Sequence, residues 1–210
     1  MSTIKTNQLA HTANGASVYT LPTTDGSAGQ VLKTDGSGNL SWVAQPTGIS
    51  EIDTWFMTAT INGTVDPISS NLSRYTNFGV NYLSATSGMS VTSGIWTFPT
   101  TGYWRIFFKF QGERQGGHQS AYQQLRISTS TDSGSSYNLA AIAEGTYYDN
   151  YNATRKTGGS ASLVFDVTNV GTHKVKFHTL AEDNSGNGNL FVGHSSIGVT
   201  TFEFIKLTDT

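Results

Sequence analysis

The stretch Gly94–Phe110 constrains the fold more than any other. Trp104, Ile106, Phe108 and Phe110 share one parity, and Tyr103, Arg105, Phe107 and Lys109 share the other. A period of two puts the two sets on opposite faces of a β-strand. The first face is wholly apolar and reads as core. The second mixes aromatic rings with cations. Pro99 and Gly102 bracket a tight turn just before the strand, since Pro presets φ and Gly tolerates positive φ. A strand whose second face is half aromatic is often covered on that side too. The cover is either a second layer of the same sandwich or another subunit, and the residues leave both open.

The rest of the second half repeats this grammar. Candidate strands run over Thr54–Ile61, Phe78–Leu83, Met89–Phe98, Tyr103–Gln111, Tyr122–Ser128, Leu139–Glu144, Ala161–Val167, His173–Leu180 and Gly198–Leu207. Turn clusters separate them, among them Asn62-Gly63, Asp132-Ser133-Gly134 and Thr157-Gly158-Gly159. Apolar residues at helical spacing are not sustained over ten residues anywhere. Short Thr-, Val-, Tyr- and Phe-rich strands with regular turns predict an all-β antiparallel sandwich of the jelly-roll kind.

Residues 1–47 differ. They are polar, turn-rich and nearly free of aromatics, and Thr-Asp-Gly-Ser occurs twice, at 24–27 and 34–37. Asp-Gly is a strong hairpin-turn signal, so short strands joined by tight turns are expected. The apolar residues here (Leu21, Val31, Leu32, Leu40, Trp42, Val43) are too few to bury a core alone. They need sister chains or a larger assembly, unless the segment is a flexible linker. Pro46-Thr47-Gly48 is the natural hinge, which divides the chain into an arm, 1–47, and a head, 48–210.

Two resemblances rest on these segments. Residues 21–42, from Leu21-Pro22 through Gly29-Gln30-Val31-Leu32 to Leu40-Ser41-Trp42, resemble the "LPxxDGxxGQVLxTDGxGxLxW" segment of bacteriophage tail-fibre and related virion fibre proteins. In those proteins the segment lies between a virion attachment and a C-terminal head. Gly94–Trp104 is similar to the "GxFxxPxxGxYxF" signature of the complement globular-head and tumour necrosis factor-like superfamily. Ser160–Val167 followed by His173–Phe177 matches that family's late strand pair, and Thr200–Leu207 its closing strand. The turn between the pair, Asn169-Val170-Gly171-Thr172, lacks the family's acidic residue, which counts against a calcium site. Together the resemblances imply a trimeric jelly-roll head on a virion fibre, with Tyr103 and Phe107 at the subunit interface. Large aromatics in a row on a free surface are unusual for a monomer, and a symmetric oligomer would bury them.

Chemistry of other kinds finds little support. The net charge of −2 supplies no basic stripe for nucleic acid. No run approaches the roughly 20 apolar residues of a membrane span, and Met1–Asn7 carries no apolar signal region. There is no cysteine. Gly193-His194-Ser195-Ser196-Ile197-Gly198 is one residue too long for a nucleophile elbow. His173 and His178 are five apart on a strand, so they face opposite ways, and no metal or cofactor is expected. His118 or His194 could meet its copies on a three-fold axis. Glu113, Glu144, Asp149, Glu182 and Asp183 sit mostly in predicted loops, and nothing holds two carboxyls at the fixed separation a glycosidase needs.

Three loops have recognition composition. One holds Tyr137. The second runs from Gly145 to Asn152 and holds Tyr147, Tyr148, Asp149, Asn150, Tyr151 and Asn152. The third runs from Glu182 to Asn189 and holds Asn184 and Asn187. Tyrosine offers rigid contact area with a polar tip, and asparagine adapts its hydrogen bonds. These residues are the candidate contacts to a host surface glycan; alternatively, Tyr147 or Tyr148 continues a strand into the core. The resulting expectation is a non-enzymatic virion fibre protein. The arm docks on other virion proteins, and a homotrimeric head binds a host receptor, with weak single sites multiplied by copy number. The alternatives are a purely structural virion component and a glycan depolymerase.

Overall fold

In a computed structural model the described residues are 8–10, 18–45, 48–76, 82–84, 87–117, 120–147, 153–182 and 188–209. They form two compact units, 1–47 and 48–210. Among them there is no helix.

In the first unit β1 (Gln8–Ala10) pairs with β2 (Val18–Thr20), and β3 (Gln30–Thr34) pairs with β4 (Leu40–Ala44), both antiparallel. The two Thr-Asp-Gly-Ser copies do different work. The second turns the β3–β4 hairpin. There the Asp35 carboxylate accepts from the backbone N–H groups of Ser37 and Asn39 at 2.8 and 3.0 Å and from the Asn39 amide at 2.7 Å. These bonds lower its pKa, the Asn39 side chain most. Gly36 and Gly38 take the positive φ the loop requires. The first copy is not a hairpin turn. Its Gly26 lies under the Trp42 indole, where a Cβ would come within 2.5 Å of the ring. Trp42 Nε1 donates to the Thr24 carbonyl at 2.9 Å. Val18, Tyr19, Val31 and Leu32 stay exposed.

The second unit is a sandwich of two antiparallel sheets. Its strands are β5 (Glu51–Met57), β6 (Ile61–Asn62), β7 (Leu72–Arg74), β8 (Tyr82–Ser84), β9 (Ser90–Thr92), β10 (Ile95–Thr97), β11 (Gly102–Arg114), β12 (Tyr122–Ser130), β13 (Asn138–Thr146), β14 (Arg155–Val167), β15 (Lys174–Ala181), β16 (Asn189–Phe191) and β17 (Thr201–Thr208). One sheet runs β13-β12-β15-β10-β9. The other has β11 at its centre, with β14 on one side and β17, β5 and β7 on the other. There β8 pairs with β5, and β16 and β6 continue from the far end of β11. Apart from the β9–β10 and β12–β13 hairpins, most spatial neighbours are distant in sequence, which is the winding of a jelly roll.

The core lies between the sheets. Trp104, Ile106 and Phe108 are fully buried and Phe110 nearly so, as the alternation predicts. Trp96 of β10 ties the layers together. Its ring meets Trp55 of β5 edge-on at 5.0 Å, Phe204 of β17 at 5.0 Å and Phe177 of β15 edge-on at 5.9 Å. A buried ion pair fastens the connection after β5. The Asp53 carboxylate accepts from Arg74 Nε at 2.8 Å and Nη2 at 3.0 Å, and from the Met89 amide at 2.8 Å. The guanidinium also lies 4.8 Å from the Trp55 ring.

Some boundaries depart from expectation. Met89–Phe98 is a hairpin rather than one strand, because Ser93 and Gly94 turn with φ of 50° and 79°. A Cβ on Gly94 would meet the Ile68 carbonyl at 2.6 Å. Thr157-Gly158-Gly159 is inside β14 and is not a turn. β14 begins at Arg155; Gly158 lies against the β11 backbone, where a Cβ would meet the Phe110 carbonyl at 2.6 Å, and Gly159 faces the seam where β14 approaches β13. There a Cβ on Gly159 would meet the Ala143 methyl and the Phe110 ring, each at 3.2 Å. Phe78, the expected start of a strand, lies outside the described residues; β7 and β8 fill this part of the sheet.

Candidate recognition surfaces

The second face of β11 is an outer face. Tyr103 is 40% exposed and Phe107 half-buried, so among the described residues no further layer covers them. The registers build a surface across four strands. Val164, Arg105, Ile205 and Ile52 form one rung, and Ser162, Phe107, Glu203 and Thr54 the next. The Arg105 guanidinium sits 5.2 Å from the Phe107 ring and 3.7 Å from the Glu203 carboxylate. Val164 is 57% exposed. An apolar and aromatic band with an ion pair in it thus faces outward at the middle of the larger sheet.

Beyond Phe107 the same face deepens into a pocket of about 310 Å³. Its floor is Phe107, Glu203 and Thr54, followed by the Lys109–Thr201 pair. Tyr75, Ile197 and Gly198 complete the lining, with the Tyr75 ring next to Gly198. Tyr75 is held by its backbone N–H, which donates to the Thr54 carbonyl at 2.7 Å, and by an edge-on contact with Phe56 at 5.1 Å. Gly198 closes against these walls, since a Cβ there would lie 2.7 Å from Thr201 Cγ2 and 3.4 Å from the Tyr75 ring. The sequence reading missed this pocket. Its residues come from four separated segments, and only the parity of Phe107 hinted at it.

The tyrosine-rich loops divide. Tyr147 is buried and does not stand on an open loop. Its hydroxyl lies 2.8 Å from the Gln123 side-chain amide, and the Arg114 guanidinium is 5.2 Å from its ring. Burial pushes its phenol up. The strand β13 ends at Thr146 beside the sandwich seam, so the next side chain turns inward. Tyr137 folds back over the smaller sheet, half-buried, with the Lys176 ammonium 4.8 Å from its ring. Burial raises its pKa, and Asp132 and Asp66 add to the effect. Asp132 organises that loop by accepting from the Ser130 and Ser136 hydroxyls at 2.7 and 2.6 Å, which with the Ser136 amide lowers its carboxyl to about 2, the Ser136 hydroxyl most. Tyr148, Asp149, Asn150, Tyr151, Asn152, Asn184 and Asn187 lie outside the described residues.

No group of three or more metal-ligating side chains occurs among the described residues. His173 is buried against Phe165 at 5.4 Å, and His194 is exposed; His118 lies outside the described residues. His178 stands on the outer face of β15. Its Nε2 is 2.9 Å from Ser128 Oγ, and its Nδ1 is 3.9 Å from Asp66 Oδ2. The order Ser–His–Asp is that of a hydrolase triad, but the geometry is not. Ser128 is buried, and Asp66 is beyond hydrogen-bond reach and is held by Lys176 at 2.7 Å. Burial holds the His178 imidazole below its ordinary 6.5, with Lys176 and Arg126 acting the same way and Asp66 against them. The unfolded chain takes up this proton as pH falls through 6.5 and the folded head only at lower pH, so stability declines over that window. His178→Gln keeps a partner for Ser128 and removes the titration. Denaturation midpoints at pH 7 and pH 5 are expected to differ less in this variant than in the parent; equal differences would contradict the assignment.

Comparison with known proteins adds likenesses of shape at low identity. No family model matches the chain, and no curated protein matches it. Among solved structures, it is similar to the Eiger TNF of S. frugiperda. The TM-score is 0.49 at 9% identity, over 78% of this chain and 96% of that one. It is also similar to murine APRIL at pH 5.0, with a TM-score of 0.47 at 9% identity over 75% of this chain and 98% of that one. The same protein at pH 8.5 gives 0.46 at 11% identity. The jelly-roll description rests on the strand order itself.

Proposed function

We propose that the chain is a non-enzymatic fibre protein of a bacteriophage particle. Its head assembles as a homotrimer through the outer face of β11 and contacts a host surface glycan, and its arm docks on other virion proteins. The observation that carries this reading is the contrast between the two units. The head closes a full aromatic core by itself, whereas the arm leaves Val18, Tyr19, Val31 and Leu32 exposed on two-stranded ribbons. Isolated hairpins are marginal in water, so the arm is suited to be completed by partners while the head is displayed. The fibre-like motif in residues 21–42 favours a virion as the place where this happens.

The test is saturable adsorption of the purified, labelled full chain to bacterial cells, competed by unlabelled chain, with its mass measured in parallel. A trimer that adsorbs supports the reading. A well-folded trimer that ignores every strain tested would move the function to the arm and make the protein a structural component. Release of reducing sugar from cell envelopes would overturn the non-enzymatic assignment. Tyr148→Ala is expected to weaken adsorption at least severalfold with mass and melting unchanged; adsorption at the parent level would remove the tyrosine loop from the contact.

A further inference from the structure

We infer that the pocket beside Phe107, at the Lys109–Thr201 end of the face and away from the Tyr103 end through which the subunits are proposed to meet, is a binding site for a neutral sugar ring. Three features of the pocket specify that ligand. Its volume of about 310 Å³ lies at the lower end of small-molecule sites, about 300–1,000 Å³, which suits one or two rings and not a chain buried along its length. Its walls include two aromatic rings, Tyr75 and Phe107, whose faces accept the apolar C–H side of a pyranose. Between them converge polar groups with hydrogen-bonding capacity to spare. The side chains of Thr54, Tyr75, Lys109 and Thr201 take no hydrogen-bond or ionic partner among the described residues, and none of their polar atoms is buried without one. They supply three hydroxyls and an ammonium, which match the donors and acceptors around a sugar ring.

Charge sets the class of sugar. Lys109 and Glu203 line the same pocket, and the Arg105 guanidinium lies 3.7 Å from that carboxylate. A uronic or sialic acid would gain from Lys109 but meet Glu203, and an amine the reverse. A neutral hexose or N-acetylhexosamine meets no such conflict and can bond to both. Gly198 completes the shape. The close approach of its backbone to Thr201 and Tyr75 leaves no room for a larger residue without displacing the wall.

The pocket is distinct from the tyrosine-rich loops, and its test needs no host cell. Failure here therefore leaves the adsorption reading standing, and the reverse also holds. The purified full chain, in whatever oligomeric state it adopts, is probed by saturation-transfer NMR. The probes are glucose, galactose, mannose and N-acetylglucosamine, with sialic acid and glucuronic acid as acidic comparators. Transfer to the ring protons of at least one neutral sugar is expected. Tyr75→Ala should weaken it at least about tenfold, by loss of one stacked wall. Lys109 is exposed on the sheet surface, so Lys109→Ala should fold as the parent does and still weaken the sugar severalfold. It carries the test if Tyr75→Ala does not fold. Absence of transfer from all four neutral sugars, preference for the acidic ones, or undiminished transfer in Lys109→Ala would overturn the assignment.

Discussion

Trp96→Ala is expected to lose a large share of the head's stability. The indole is fully buried and touches rings on strands of both sheets, Phe177 in its own and Trp55, Phe202 and Phe204 in the other. Truncating a buried tryptophan costs about 3–5 kcal/mol, the sum of lost transfer energy and the cavity left behind. Domains of this size are commonly stable by only about 5–15 kcal/mol in total, so the midpoint should fall by about 10 °C or more. Trp96→Phe discriminates between volume and polarity. The indole N–H has no hydrogen-bond partner among the described residues, and an orphaned buried donor costs about 1–3 kcal/mol. Phenylalanine keeps an aromatic contact and removes that donor, so its cost should be under about 2 kcal/mol. Melting curves of both variants check the claim. A Trp96→Ala head that melts with the parent would show that the two layers are held elsewhere.

The part of the fold that was legible was the part governed by a single local rule. Parity alone placed Trp104, Ile106, Phe108 and Phe110 inside and Tyr103 outside, because a strand cannot do otherwise with its side chains. Turn chemistry was legible where the turn closes on itself, as at Asp35-Gly36, and misleading where a glycine serves packing. Gly26, Gly158 and Gly159 look like turn residues in sequence, yet each makes room for a ring, a methyl or a backbone from another strand. Ser93-Gly94 failed in the other direction, being a turn hidden inside an apolar run. The Asp53–Arg74 pair links residues 21 apart, and nothing in either residue's neighbourhood announces the other.

The candidate sites were less legible for a related reason. A Tyr- and Asn-rich segment is recognisable by composition, but composition does not say which tyrosine is anchored. Tyr147 follows directly on β13, and the strand's parity carries it into the interior beside Gln123 and Arg114. Tyr137 is drawn down by Lys176. The pocket beside Phe107 was invisible because it exists only once β5, the segment after β7, β11 and the stretch from Ile197 into β17 are side by side.

Joint replacement of Tyr103 and Phe107 by Asp is expected to turn trimers into folded monomers. Both residues belong to the outward face of β11, so neither change reaches the core that Trp104, Ile106 and Phe108 fill. The head should therefore keep its strand content and melt cooperatively. Association is affected on three counts. Two aromatic rings are removed from the band formed with Val164 and Ile205. Two carboxylates are added, and every copy in a symmetric ring carries both, so that six new charges meet around one axis. Each must also give up water on burial, which is costly for an unpaired charge. Arg105 can neutralise part of the load, but it already lies 3.7 Å from Glu203. Sedimentation equilibrium reads the result directly, as a threefold drop in mass with an unchanged far-ultraviolet spectrum. Tyr103→Asp alone separates this face from the pocket, since Tyr103 does not line it. That variant should weaken the trimer and leave sugar binding intact. A double variant that still sediments as a trimer would place the subunit contact on another face of the sandwich, and Phe107 would then belong to the ligand site alone.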